Sequence, residues 1–486
     1  MKIKGIIGMI AASAVIATSC NKYVDVNQNP NSPTTVSPTV QLPNTEIAIA
    51  FANSNDLDRA TEVMMQHNAS IANQVAGYDI YNLRGNFDNQ WDFEIYNGAV
   101  SSCANLIKQT QSTNSAFAGI AKIELAYAFS LATDLWGDVP YSQAGQGLTF
   151  IQPRFDAQQD IYQGNTALGI TSLFDLVKSG IADLKANTGA LKPGNEDFVY
   201  KGDLTKWIRA GNTMLLKFAM QISNVNPTLS QSTISAVIAD NNYINSTSQD
   251  LEVPFGSSVG NYNPLYSFNN VNRTGDQMLS TRFLTLMNNL KDPRLGKFYT
   301  SPNGVFTSFD NGASAAIAAP AAATRSKYNV YLTGASGEAP IRILTNYQRA
   351  FILAEAALLY PSLGLNAQAL YVEGITASML KTGIAQADVT AYLAANPTVA
   401  TLSGTTDQMR IQIITQKYIA FTGNGIEAYN DYRRTGYPAL ALALNAQGDD
   451  PNSIPKRFPY TNNEIQRNTN VPKPQPLTSV KVWWAK

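Results

Sequence analysis

Histidine is almost absent from this chain: His67 is the only one in 486 residues, and cysteine occurs twice, at Cys20 and Cys103. A Ser-His-Asp triad, a Cys-His pair with a supporting histidine and a histidine-built metal site all need imidazoles that the sequence does not supply. Charge is also sparse, at 14% of residues, and balanced between 35 basic and 35 acidic side chains. A near-neutral surface lacks the basic patches that nucleic acid or anionic lipid demands. Glycosidase chemistry needs two carboxylates flanking one bond, and no acidic pair stands out for that role. No cofactor and no metal site is expected. Beyond the N-terminus, no stretch reads as apolar enough to span a membrane.

The first twenty residues carry an address. Lys2 and Lys4 precede an apolar run from Ile6 to Ala17, closed by Ala17-Thr18-Ser19-Cys20. This is a charged region, a short hydrophobic region and a small-residue cleavage site, the anatomy of an export signal. The run is shorter than the roughly 20 apolar residues of a membrane span. A cysteine directly after the small residues resembles the lipobox of bacterial lipoproteins, which implies cleavage after residue 19 and lipidation of Cys20. Thr18 and Ser19 stand where Ala and Gly are commoner, but both are small. The alternative is an ordinary secretory signal with a chance cysteine. Acyl chains such as palmitate anchor a protein at about 0.8 kcal/mol per buried CH₂. Cleavage removes two lysines and leaves 33 basic against 35 acidic residues, a net charge of −2. With Cys20 acylated, Cys103 is alone and no intrachain disulfide forms.

Residues 20–44 read as an extended, lipidated tether, because Pro30, Pro33, Pro38 and Pro43 interrupt a polar segment. Asp25, Asn27 and Asn29 are spaced like the start of a calcium loop. Pro30 occupies the place of its glycine and Val36 that of its bidentate glutamate, so that reading fails. Residues 45–486 then show mainly helical periodicity. Helices are predicted over Glu46–Phe51, Leu57–Ala76, Trp91–Gln109, Phe117–Leu135 and Thr205–Ser223, then Asn346–Tyr360, Asn366–Thr382, Asp407–Phe421 and Ile426–Arg434. Their pairing suggests stacked helix-turn-helix units, without a strict 34-residue repeat. Long irregular segments, Glu252–Asp276 and Tyr299–Ala339, separate them. Ala313–Ala323 is low-complexity and is expected to be a surface insertion.

Several motifs recur in a recognisable order. Thr133-Asp134-Leu135-Trp136-Gly137-Asp138-Val139-Pro140-Tyr141 is followed by Asp292-Pro293-Arg294 and by Arg349 to Ala356 with Glu355. Lys417 to Phe421 then leads to Glu427-Ala428-Tyr429, Asp431-Tyr432-Arg433-Arg434-Thr435-Gly436-Tyr437-Pro438, Ile454 to Phe458, and Asn468 to Asn470. Together these motifs resemble the SusD/RagB family of outer-membrane nutrient-binding lipoproteins, in its SusD-like branch. The likeness covers nearly the whole chain after Cys20. It implies a mainly α fold: one large domain (45–486) of TPR-like stacked helix pairs with long loops and a few short β-hairpins. It also implies a cell-surface lipoprotein without catalysis that binds a nutrient, foremost an oligosaccharide. Such a protein works as a lid over a SusC-type TonB-dependent transporter in the outer membrane.

Read physically, most of these motif residues are scaffold. Asp134 and Asp138 flank Trp136-Gly137 at a helix end, Glu355 is expected to pair with Arg349 or Arg433, and Trp91 and Tyr96 read as core. Gly423-x-Gly425 joins two helices, so it is no dinucleotide loop. Solute binding needs exposed rings and fixed polar groups. The candidates lie in loops: Tyr78, Tyr81, Arg84 and Phe87 in one cluster, and Asn261, Tyr262, Tyr266 and Phe268 in another. No tryptophan lies in these loops, so a peptide or other small polar ligand stays open. A partner-binding surface scaffold and a surface glycan hydrolase are the competing readings.

Overall fold

The computed structural model describes residues 36–486; Cys20 and the motif of Asp25, Asn27 and Asn29 lie outside the described residues. The chain opens with α1 (Pro38–Ser54), α2 (Asp56–Met64) and a short α3 (Asn73–Asp79). A π-helical stretch, Gln90–Val100, runs into α4 (Ser101–Thr110), followed by α5 (Ser115–Trp136) and α6 (Leu173–Ala186). Next come α7 (Leu204–Gln221), α8 (Pro227–Asp240) and α9 (Thr281–Asn289). The last third supplies α10 (Asn346–Leu359), α11 (Ala367–Lys381), α12 (Gln386–Ala395), α13 (Thr406–Ala420) and α14 (Gly425–Thr435).

Local chemistry sets many of these ends. Asp203 caps α7 by accepting from Thr205 N at 3.0 Å, and Thr405 with Gln408 closes a capping box on α13. At the other end, Gly436 takes φ 84° to stop α14. Neighbouring helices then stack in sequence: α5 lies against α4 and α6, α6 against α7, α7 against α8 and α10, and α10 against α11 and α13. At the α5–α6 crossing the backbones nearly touch. A Cβ on Gly119 would stand 2.7 Å from Gly180 O, and one on Gly180 would stand 2.7 Å from Gly119 O.

Strands are short. β1 (Asn68–Ser70), β2 (Val139–Pro140), β3 (Phe155–Asp156), β4 (Leu251–Val253), β5 (Gln277–Leu279) and β6 (Ile341–Leu344) form three antiparallel pairs, β1–β5, β2–β3 and β4–β6. Only β2–β3 is local; the other two fasten distant loops to the helical body. A small second core of Ala69, Met278, Phe309 and Ala313 lies at the β1–β5 pair.

The structure departs from the predicted elements in definite ways. Helix α1 begins at Pro38, so residues 38–44 are helical rather than extended. Pro38 sits at the helix start, where its missing N–H costs nothing, and Pro43 is accommodated one turn later. The predicted Leu57–Ala76 helix stops at Met64 because Gln66 turns to φ 62° and Asn68–Ser70 pairs with β5. Helices α6, α8 and α12 were not anticipated. Ser115–Trp136 is long and apolar enough to cross a membrane, contrary to expectation, yet it is almost wholly buried among its neighbours. Its apolar circumference is that of a core helix. Ala315–Ala318 are exposed, as expected of an insertion, but Ala313 is buried in the small core.

The motif residues form a buried polar frame between helices. Asp134 accepts from Tyr162 Oη at 2.7 Å, Trp484 Nε1 at 2.9 Å and Asn430 Nδ2 at 3.1 Å. Lys217 pairs with Glu427 at 3.0 Å, and Gln348 donates to the other oxygen of Glu427 at 2.9 Å. Glu355 does not meet Arg349 or Arg433. It takes both Nη atoms of Arg434 at 2.7 Å and Arg410 Nε at 2.8 Å. Arg349 turns instead to Glu373 and Ile244 O, while Arg433 stacks on Tyr429 and Trp484.

Candidate ligand-binding clefts

The two loop clusters meet different fates. Tyr78, Tyr81 and Phe87 are buried, so their rings offer no broad face to a solute. Tyr78 stacks on Phe87 at 5.2 Å between centroids, and Phe87 packs on Phe458 at 4.6 Å. Tyr81 Oη accepts from Ala443 N at 2.8 Å. The loop's Gly, Asn and Arg composition conceals three rings that serve the core. Arg84 alone is exposed, and its Nη2 meets Asp449 at 2.6 Å. Arg84 and Tyr81 line a polar cleft of about 280 Å³ with Asn82, Gln447, Asp449 and Thr478. Burial raises the Asp449 carboxyl, but hydrogen bonds from Thr478 and Arg84 outweigh it and hold the pKa below the usual carboxylate value.

Around Tyr262 the rings stay within reach of solvent. Tyr262, Tyr266 and Phe268 are half-buried, and Asn261 is exposed. Tyr262 and Phe268 line a cleft of about 230 Å³ together with Phe51, Asn55, Arg59 and Asn272. Tyr266 flanks it, with its centroid 5.1 Å from that of Tyr262. Asn261 is not part of the lining.

Each wall of this cleft has a local cause. Phe51 stands near the end of α1, and Asn55 forms the joint between α1 and α2. Asn55 Nδ2 donates to Glu94 Oε1 at 2.9 Å, which fixes the joint against Gln90–Val100. Burial lifts the Glu94 pKa to about 7, more than its bond from Asn55 lowers it. Arg59, on α2, lies over Phe268 with its Cζ 4.2 Å from the ring centroid. Asp56 orients that guanidinium through Nε at 2.9 Å. The opposite wall hangs from buried Asn263, whose Nδ2 donates to Ala339 O at 2.8 Å and whose Oδ1 accepts from Leu265 N at 2.7 Å. Gly337, at φ 101°, lets the backbone pass beneath the rings; a Cβ there would lie 2.6 Å from Tyr262 Cδ1.

The result is a shallow trough with ring faces at its sides and a guanidinium and amides within it. That combination suits a solute with apolar C–H faces and several hydroxyls. Phe51 and Arg59 were missed in the sequence because they lie on helices, where apolar periodicity hides a cleft wall, and Asn55 because it is the single residue joining them. The break between α1 and α2 was the available signal. Among the described residues, no group of three His, Cys, Asp or Glu side chains is arranged to hold a metal ion.

The profile of SusD-like proteins described as "Starch-binding associating with outer membrane" matches residues 30–461. The chain belongs to the SusD-like family. Solved structures agree in fold. A protein described as chitin-binding is 24% identical, with a TM-score of 0.78, and the match covers 92% of this chain and 100% of the other. A chitin-binding SusD homologue from Flavobacterium johnsoniae is 20% identical, with a TM-score of 0.77 and coverage of 92% and 98%. A SusD homologue from Bacteroides uniformis is 23% identical, with a TM-score of 0.76 and coverage of 92% and 99%. A comparison with curated proteins finds no match. At these identities the structural likeness establishes the SusD-like helical fold and leaves the ligand to be argued from the clefts.

Proposed function

We propose that this SusD-like protein is a cell-surface lipoprotein that captures an oligosaccharide and passes it, as a lid, to a SusC-type TonB-dependent transporter. The observation that carries this reading is the Tyr262–Phe268 trough, where half-buried rings and a ring-stacked Arg59 share one opening. Two solved relatives are described as chitin-binding, and the family description names starch, so a glycan is the favoured ligand class. Acylation of Cys20 places the protein on the outer membrane, facing outward. Catalysis has no part in this account. Asp134, the most conspicuous motif carboxylate, is buried and engaged by three hydrogen-bond donors, out of reach of a glycosidic bond.

Ring contacts of about 1 kcal/mol each, with a few hydrogen bonds, put the affinity on the order of millimolar to micromolar. Calorimetry of the mature protein against starch- and chitin-derived oligosaccharides and a peptide set tests this. Heat with a glycan is expected; heat with peptides alone would favour the scaffold reading, and product release would revive the hydrolase.

A further inference from the structure

A second cleft, of about 350 Å³, shares no lining residue with the Tyr262–Phe268 trough. One wall is the π-helical stretch Gln90–Val100, a rare backbone form that recurs at functional sites. Asp92, Asn97 and Ser101 come to the cleft every four to five residues, the spacing at which wide i→i+5 turns repeat a face. Gly98 leaves room for such a turn: a Cβ there would lie 2.6 Å from Phe93 O. The other wall is the loop after β2, which carries Gln143 and Phe150. Tyr96 Oη donates to Pro140 O at 2.9 Å and ties the two walls together. Two rings in the opening keep solvent contact, Phe93 at 63% exposure and Phe150 at 36%.

Polar capacity in this cleft is left over. Asn463 Nδ2 donates to Asp92 Oδ2 at 2.8 Å, and among the described residues no hydrogen bond engages Oδ1. Arg154 N donates to Gln143 Oε1 at 2.8 Å, which fixes that amide and leaves its Nε2 as a donor. Charge is uneven as well: Asp92 and Glu464 line the cleft against a single cation, Arg467. Arg467 stands 3.8 Å from Asp92 with its side chain 73% exposed, a pairing that solvent screens. Burial raises the Glu464 pKa more than hydrogen bonds from Asn468 and Trp91 lower it, so this carboxyl lacks a full counter-charge. Ring faces suit the C–H face of a sugar, and amides suit its hydroxyls. The surplus carboxylate suits an ammonium held close to the rings. We infer that this cleft is a subsite for an amino sugar whose amine is free and protonated. A lysine side chain would meet Asp92 but bring only methylenes to the Asn97 and Gln143 amides. An N-acetylated sugar brings no charge to Asp92.

Titration calorimetry of mature protein carrying Tyr262→Ala and Phe268→Ala, which disable the trough, isolates this cleft. The probes are a glucosamine tetramer, its N-acetylated counterpart and trilysine, at about pH 6, where an amine with a pKa of about 8 is protonated. The glucosamine tetramer is expected to bind at least tenfold more tightly than either of the others. Asp92→Asn, which keeps the side chain's size, should abolish that preference. Phe93→Ala, at an exposed ring, should weaken binding at least tenfold, and both variants should melt at the unaltered temperature. Equal binding of the two tetramers, or of trilysine and the glucosamine tetramer, overturns the assignment. So does an absence of heat, or full affinity in both variants. With the trough already disabled, these outcomes stand apart from the fate of the trough's own ligand.

Discussion

Glu355 illustrates how much one side chain holds in place here. Burial raises its pKa, but Arg434 and Arg410 outweigh that and hold it at about 2. Because the folded value lies below the ordinary 4.5, its stabilisation is present above pH 4.5 and is lost as pH falls toward 2. Glu355→Gln leaves the Arg410 guanidinium without its carboxylate and Arg434 with Asp431 alone, and is expected to cost about 3 kcal/mol in denaturant unfolding. Glu94 works in the opposite sense. Burial lifts it from 4.5 to about 7, so it favours the folded state fully below pH 4.5 and loses that contribution as pH rises through 7. Glu94→Gln should flatten the decline in stability between those values; an unchanged slope in pH-dependent melts would show that Glu94 is not its source.

At the scale of elements, close approach decides the fold. Gly180→Ala places a methyl 2.7 Å from Gly119 O and should cost about 1–3 kcal/mol by prising α5 from α6. A denaturant melt reads this directly. Gly337→Ala should displace Tyr262 and weaken glycan binding, with heat uptake in titration as the readout.

Elements also show what the sequence reveals and what it hides. Helices such as α7 and α14 were legible because a one-sided apolar stripe or a Gly436 stop writes them into local sequence. Leu57–Ala76 was misread, since the pairing of Asn68–Ser70 with Gln277–Leu279 is a contact between segments some two hundred positions apart. Glu355 was recognised as structural but given the wrong arginines, because sequence order does not say which helix faces which. The Tyr78 loop supplied candidate ring platforms because it lies between helices, yet Phe458 and Ala443, remote in sequence, cover it. Around Tyr262 the polar spacing was informative, because buried Asn263 shapes its loop from within.

The whole molecule joins a buried ionic frame to a rim of loops that carries the Tyr262–Phe268 trough. If Cys20 carries the anchor, Cys20→Ala should abolish acyl labelling and release the protein from membranes; continued retention would refute the anchor. The central claim is that the Tyr262–Phe268 trough grips a glycan without chemistry. Titration calorimetry of mature protein and of Tyr262→Ala with Phe268→Ala, against starch- and chitin-derived oligosaccharides, tests it most directly. The account expects heat, intact glycan afterwards, and at least tenfold weaker binding in the paired variant. No heat with any glycan, or full affinity without the two rings, would contradict it.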